Sequence, residues 1–143
     1  MKTAKILLRV ASILMLTHLI GHSFGQNGWK STTDPVLKEV GRQMTGPKFP
    51  FMGVSRSMGD YFDGYGYMAS VSLALFALLL WLASRATNLA NDFLIKMVLT
   101  LALGLLAISV LEFIYFFPFA GSITLLASVL AFTSCYKLSR VKA

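Results

Sequence analysis

"FLIKMVLTLALGLLAISVLEFIYFF", Phe93 to Phe117, carries only two charges, Lys96 near its start and Glu112 near its end. A hydrocarbon core about 30 Å thick is crossed by roughly 20 apolar residues at about 1.5 Å each. This run is long enough to do so, and it reads as a spanning helix. An open sheet or an irregular segment would leave backbone groups without hydrogen bonds in lipid. The ten-residue alternation of a membrane β-barrel is absent as well.

The same reading extends to three other runs, residues 6–24, 67–84 and 119–136, and it fits the whole chain. Of 143 residues, 56% are hydrophobic and 13% charged, and the mean hydropathy is +0.68; soluble domains carry about 25% charged residues. The expected fold is therefore all-α: an integral membrane four-helix bundle in a single transmembrane domain, residues 1–143, with residues 25–66 as one long loop. No internal repeat, low-complexity tract or shift of composition marks a second domain.

Charge sets the expected orientation, because Lys and Arg in short flanks are retained in the cytoplasm. Lys2, Lys5 and Arg9 precede or enter the first run, Arg85 and Lys96 bracket the short second connection, and Lys137, Arg140 and Lys142 form the tail. Both termini are expected inside. The uncharged "FFPFAG", Phe116 to Gly121, makes a tight outer hairpin with Pro118 ending a helix, and the 25–66 loop is outside too. The net charge of +7 is then mostly topological. Nucleic-acid binding is not expected, since it calls for a basic stripe on a soluble face. The first run also has the basic start, apolar middle and small residues of a cleavable signal peptide. Its length and its two imidazoles favour a retained span.

Within the outer loop, "TTDPVLKEVGRQM" offers Asp34 as an N-cap and Pro35 at the first helical position. Val36, Val40 and Met44 follow at spacing four, which describes a short amphipathic helix lying on the outer membrane face until Gly46, Pro47 and Pro50 break it. The next piece, "VSRSMGDYFDGYGYMAS", is expected to lead straight into the second span as one long helix. Trp29 and Trp81 read as interfacial anchors. Cys135 is alone, so no disulfide or Cys-based metal site forms within one chain. Thr100, Gly104 and Ala107 on the third span, and Gly121, Thr124, Ser128, Ala131 and Cys135 on the fourth, read as small-residue seams for close helix packing.

The chemistry-bearing residues gather at one expected depth. His18 and His22, the only histidines, stand four apart near the outer end of the first span and share a helix face. Glu112 is about seven residues past the middle of the third span, or about 10 Å outward, level with them. Charges inside a span are costly, so such residues face the interior, pair, and mark function. The expected site is an inward polar cluster of His18, His22 and Glu112, with Tyr115 one turn beyond Glu112. Arg56, Asp60, Tyr61, Asp63 and Tyr65 form its roof.

Several uses fit that cluster. Two imidazoles and a carboxylate are the ligand set of a mononuclear site, so His18, His22 and Glu112 are candidate ligands of a divalent metal. Holding a metal or small ligand, in an accessory role within a larger complex, is the leading reading. The alternatives are an enzyme using His/Glu acid–base chemistry on a lipid or quinone, and a structural bundle in which the His–Glu contact only locks helices. Transport is least favoured, because few polar residues continue toward the cytoplasmic half. A haem held on both faces by this pair is excluded, since axial ligands come from opposite sides. "GDYFDGYGY" lacks the spacing of phosphate or calcium loops, and no serine–histidine nucleophile can be argued. Membrane lipids are the expected partners, with a membrane protein or a second copy as further candidates.

Taken together, "HLIGH" at 18–22, "RSMGDYFDGYGY" at 56–67 leading into an apolar helix, and the single acid of "LEFIYFF" at 111–117 resemble a family of small four-helix bacterial inner-membrane proteins with His-x-x-Gly-His in the first helix. The resemblance spans nearly the whole chain. It implies an integral inner-membrane protein and brings no activity with it. A more distant, purely architectural likeness is to DoxX-type membrane proteins, some of them linked with redox or quinone chemistry.

Overall fold

The computed structural model describes residues 2–86 and 92–142. The elements run α1 (Lys2–Gly28), a 3-10 turn (Trp29–Ser31), α2 (Pro35–Thr45), β1 (Lys48–Phe51), β2 (Val54–Ser57), α3 (Met58–Arg85), α4 (Asp92–Tyr115) and α5 (Pro118–Lys142). Helices α1, α3, α4 and α5 are long and apolar enough to cross a membrane, the plan of a multi-pass membrane protein. Much of the α3–α4 connection, residues 87–91, lies outside the described residues. The chain divides into two compact units, a bundle unit of Met1–Leu19 with Leu73–Ala143 and a loop unit of Ile20–Ser72.

In the bundle unit four helices share one core. Its buried residues recur at steps of three and four: Ala4, Leu8, Ala11 and Met15 on α1; Leu73, Ala77 and Leu80 on α3; Leu94, Val98, Leu101 and Leu105 on α4; Ala127, Ala131, Cys135 and Leu138 on α5. That is the seven-residue repeat of left-handed helix packing. The α4–α5 seam shows it directly. Ser109 Oγ donates to Gly121 O at 3.1 Å, Ser128 Oγ to Ala102 O at 2.8 Å, and Cys135 Sγ to Ile95 O at 3.7 Å. The residues step by seven in opposite senses along two antiparallel helices, and all but Ile95 are small because backbones meet there. On α5 the expected seam of Gly121, Thr124, Ser128, Ala131 and Cys135 is buried throughout. On α4 the expectation is corrected: Thr100 and Ala107 are exposed, and Ala102 and Ser109 take the seam.

Serine hydroxyls tie two further pairs. Ser12 Oγ donates to Ala77 O at 2.7 Å, joining α1 to α3, and Ser134 Oγ donates to Ala4 O at 3.1 Å, joining α5 to α1. Each hydroxyl that lipid could not solvate thereby finds a carbonyl on a neighbouring helix.

In the loop unit, α2 forms as its sequence dictates. Asp34 caps it by accepting from Val36 N and Leu37 N, Pro35 occupies the first turn, and Gly46 follows its last residue. The stretch Val54–Ser57 is not the start of a long helix. It is β2, paired antiparallel with β1 in the register Lys48↔Ser57 to Phe51↔Val54. Between them Met52 and Gly53 both have positive φ, 47° and 82°, the pattern of a tight type I′ hairpin turn. Ser57 then ends the strand and starts the helix. Its Oγ accepts from Asp60 N at 3.1 Å while Asp60 Oδ2 accepts from Ser57 N at 2.8 Å, a reciprocal cap on α3. From Met58 onward the expected single helix into the second span is present.

Candidate functional site

The bundle unit brings two of the sequence-nominated residues together and adds a third. His18 continues the Ala4–Ala11 line of α1 at steps of seven, and Glu112 continues the Val98–Leu105 line of α4. Both therefore occupy core positions in the last turns of the bundle rather than facing lipid. They are 8% and 9% exposed. His18 Nε2 lies 3.6 Å from Glu112 Oε1, and His18 Nδ1 is hydrogen-bonded to Thr124 Oγ1 of α5 at 3.0 Å. One imidazole thus links α1, α4 and α5 in the order carboxylate, imidazole, hydroxyl. Thr124 is fully buried. It was legible as a small seam residue but not as a partner for histidine.

The loop unit engages His22 differently. Its Nε2 donates to the Gly66 carbonyl at 2.9 Å, which places the proton on that nitrogen, and Ser70 Oγ donates to the same oxygen at 3.1 Å. One turn along α1, Gln26 Nε2 donates to Asp63 Oδ1 at 3.2 Å. Gly66 is what lets Gln26 approach, since a Cβ there would sit 1.8 Å from Gln26 Oε1. Asp63 is a hub. Besides Gln26 it accepts from Trp29 Nε1 at 2.8 Å and pairs with Lys30, whose ammonium also lies 5.2 Å from the Trp29 ring centre. Gln26, Trp29, Lys30 and Gly66 were not nominated from sequence. The signal available was Gln26 standing at i+4 from His22.

Four nominated residues of the roof converge in the loop unit. Arg56, Asp60, Tyr61 and Tyr65, with Gly64 and Met68, line an open concavity of about 370 Å³ along the first turns of α3. The wall at Tyr61 is held by Phe49 of β1, stacked on it at 5.8 Å with the rings 9° from parallel. Asp60 spends one carboxylate oxygen on the α3 cap, so the concavity presents one guanidinium, one carboxylate, two phenols and a thioether. Gly64 leaves its floor bare, with no atom within 4 Å of where a Cβ would stand. Tyr115 belongs to the bundle unit, as the last residue of α4, and is 74% exposed.

Among the described residues no group of three or more His, Cys, Asp or Glu side chains could hold a metal ion. His18 and Glu112 supply two such donors. On α2, outside the spans, Arg42 reaches both carboxylate oxygens of Glu39 at 2.6 and 2.7 Å. Those bonds, with a further one from Gln43, hold the Glu39 carboxyl down at a pKa of about 2. No family model, no curated protein and no solved structure matches this chain.

Proposed function

We propose that this is a small multi-pass protein of a bacterial inner membrane, with both termini cytoplasmic, that holds an anionic amphiphile in the concavity on α3. The His18–Glu112–Thr124 cluster acts as the polar lock of its bundle. The observation that carries the reading is the convergence of Arg56, Tyr61, Tyr65 and Met68, beside the Asp60 carboxylate, on one open space of about 370 Å³, within the roughly 300–1,000 Å³ of small-ligand sites. A guanidinium offers a planar fork to a carboxylate or phosphate. Tyrosine rings and a thioether offer apolar surface to the chain attached to it. A lipid surrounding supplies such molecules at high local concentration. The resemblance in "HLIGH" and "RSMGDYFDGYGY" supports the location. For the bundle cluster the lock is favoured over acid–base chemistry, because both ring nitrogens of His18 are engaged and the Thr124 hydroxyl is sealed from solvent.

The test is native mass spectrometry of the full chain extracted with its surrounding lipid, comparing wild type with Arg56→Ala and Gly64→Leu. An anionic amphiphile should remain on the wild type. Loss of the Arg56 contact, about 1.5–3 kcal/mol for a hydrogen bond to a charged group, weakens retention about tenfold or more, and a leucine filling the bare floor abolishes it. The same bound mass on all three proteins would overturn the proposal.

A further inference from the structure

The β1–β2 hairpin ends in an apolar tip that its own fold leaves uncovered. Met52 is 89% and Phe51 56% exposed, and Val54 beside them is exposed too. The turn makes this more pointed. Met52 holds φ of 47°, a left-handed backbone conformation that Asn or Gly takes at lower cost than an unbranched apolar residue. A solvent-facing hairpin would gain on both counts from Asn. A strained, exposed methionine at the foremost point of a hairpin is an outlier from which a function can be inferred.

The charges say what the tip faces. No acid occurs between Pro47 and Ser57, while Lys48 and Arg56 stand toward the open end of the ladder; Asp60, bonded to Ser57 there, leaves that end with a net charge of one positive. At about 3.3 Å per residue, Arg56 trails Val54 by about 7 Å and Lys48 trails Phe51 by about 10 Å. An apolar tip ahead of a cationic belt by that interval matches the depth, about 5–10 Å, to which interfacial elements bury their apolar face. Anionic headgroups would meet the belt. The chain carries four helices able to cross a bilayer, so such a surface is always near. We infer that the Phe51–Val54 tip inserts into an anionic lipid surface and makes the loop unit a second, peripheral membrane contact. The inference shares Arg56 with the ligand reading but rests on the tip, so the two fail separately.

The experiment uses the full chain with Cys135→Ala, reconstituted in phosphatidylcholine vesicles containing phosphatidylglycerol. Nitroxide labels are introduced through Met52→Cys or, further down the strand, Ser55→Cys. The label at 52 should collide with dissolved oxygen in preference to an aqueous nickel chelate, and more so than the label at 55. Equal or greater nickel access at 52 would overturn the inference. So would dipolar broadening at 52 that vanishes on dilution with unlabelled chain, which would assign the tip to a second copy. Because Met52→Cys itself removes the methionine, a label at Val54→Cys is read with Met52 intact and with Met52→Asn, which retains the turn. Nickel access should rise several-fold with Met52→Asn, and unchanged access would also sink the idea.

Discussion

Replacing His18 by leucine should destabilise the bundle far more than replacing His18 and Glu112 together. The imidazole and carboxylate stand 3.6 Å apart in a core position. As an ion pair they attract by about 4–5 kcal/mol at an effective dielectric of about 20, against a desolvation cost of several kcal/mol per ion. The pair therefore adds little net stability, yet losing the imidazole alone is expensive. His18→Leu takes the imidazole away from the Glu112 carboxyl, and breaking a buried pair from one side costs about 3–5 kcal/mol. Thr124 contributes little to that loss, since its hydroxyl can turn back to a carbonyl of its own helix. Glu112→Leu leaves an imidazole that can go neutral and keep Thr124, and costs about 1 kcal/mol. The double variant buries two leucines and returns to within about 1 kcal/mol of the parent. Reversible unfolding in mixed micelles titrated with SDS, followed by Trp81 fluorescence, measures all four corners. Coupling of at least about 3 kcal/mol is expected. Additivity within about 0.5 kcal/mol, the behaviour of independent sites, would refute the lock.

Three further outcomes follow from local geometry. Gly121→Ala brings a Cβ within 2.9–3.0 Å of the Phe113 ring; the overpacking, about 1–3 kcal/mol, should outweigh the helix gain of about 0.5–1 kcal/mol, and thermal unfolding should show recovery when Phe113→Leu is added. Ser57→Ala removes the hydroxyl from the α3 cap and should cost about 1 kcal/mol, read as faster amide exchange confined to the first turn after Ser57. On α2, a Glu39 pKa depressed from 4.5 to about 2 means that its bonds to Arg42 and Gln43 support the helix fully above pH about 4.5. That support is lost as pH falls through about 2, so amide shifts of residues 35–45 in the full chain should hold steady down to pH 4.5 and drift below it. Drift centred near pH 4.5 would show that the Arg42 contact does not form.

The spans were legible because lipid imposes one crude demand, length times hydropathy, which residues 6–24, 67–84, 93–117 and 119–136 each meet. Their helices run further than that signal. Residues 25–28 and 58–66 are helical but too polar or too glycine-rich to register as membrane, being held instead by the Gln26–Asp63 bond and the Ser57–Asp60 cap. Helix α2 was legible through Asp34 and Pro35, whose capping chemistry is local. The hairpin was not. Its turn is Met-Gly rather than Asn-Gly, and Pro50 within β1 argues against a strand unless the strand lies at an edge. A two-stranded ladder has nothing but edges, so Pro50 fits opposite Ser55.

The site divides along the same line between local and non-local information. That His18 and His22 stand about 40° apart on α1 follows from 3.6 residues per turn. What each histidine meets does not follow, because a core helix in a bundle has neighbours on two sides of its stripe. The steps of seven through Ala4, Ala11 and His18 lead to α4 and α5, where Glu112 and Thr124 wait. The residues on the other flank, Ser12 and then His22 and Gln26, find acceptors on α3 at Ala77, Gly66 and Asp63. The 40° that separates i from i+4 on a helix is enough to send two imidazoles to different partners. On α4 the difficulty is greater, since a helix apolar on every face gives hydropathy nothing to orient by. Only the step-of-seven recurrence of small residues, Ala102 to Ser109 against Gly121 to Ser128, marks which side meets another backbone. Once that seam is set, the line Val98, Leu105, Glu112 turns inward of necessity, and a carboxylate at its end must meet either an imidazole or an acyl chain.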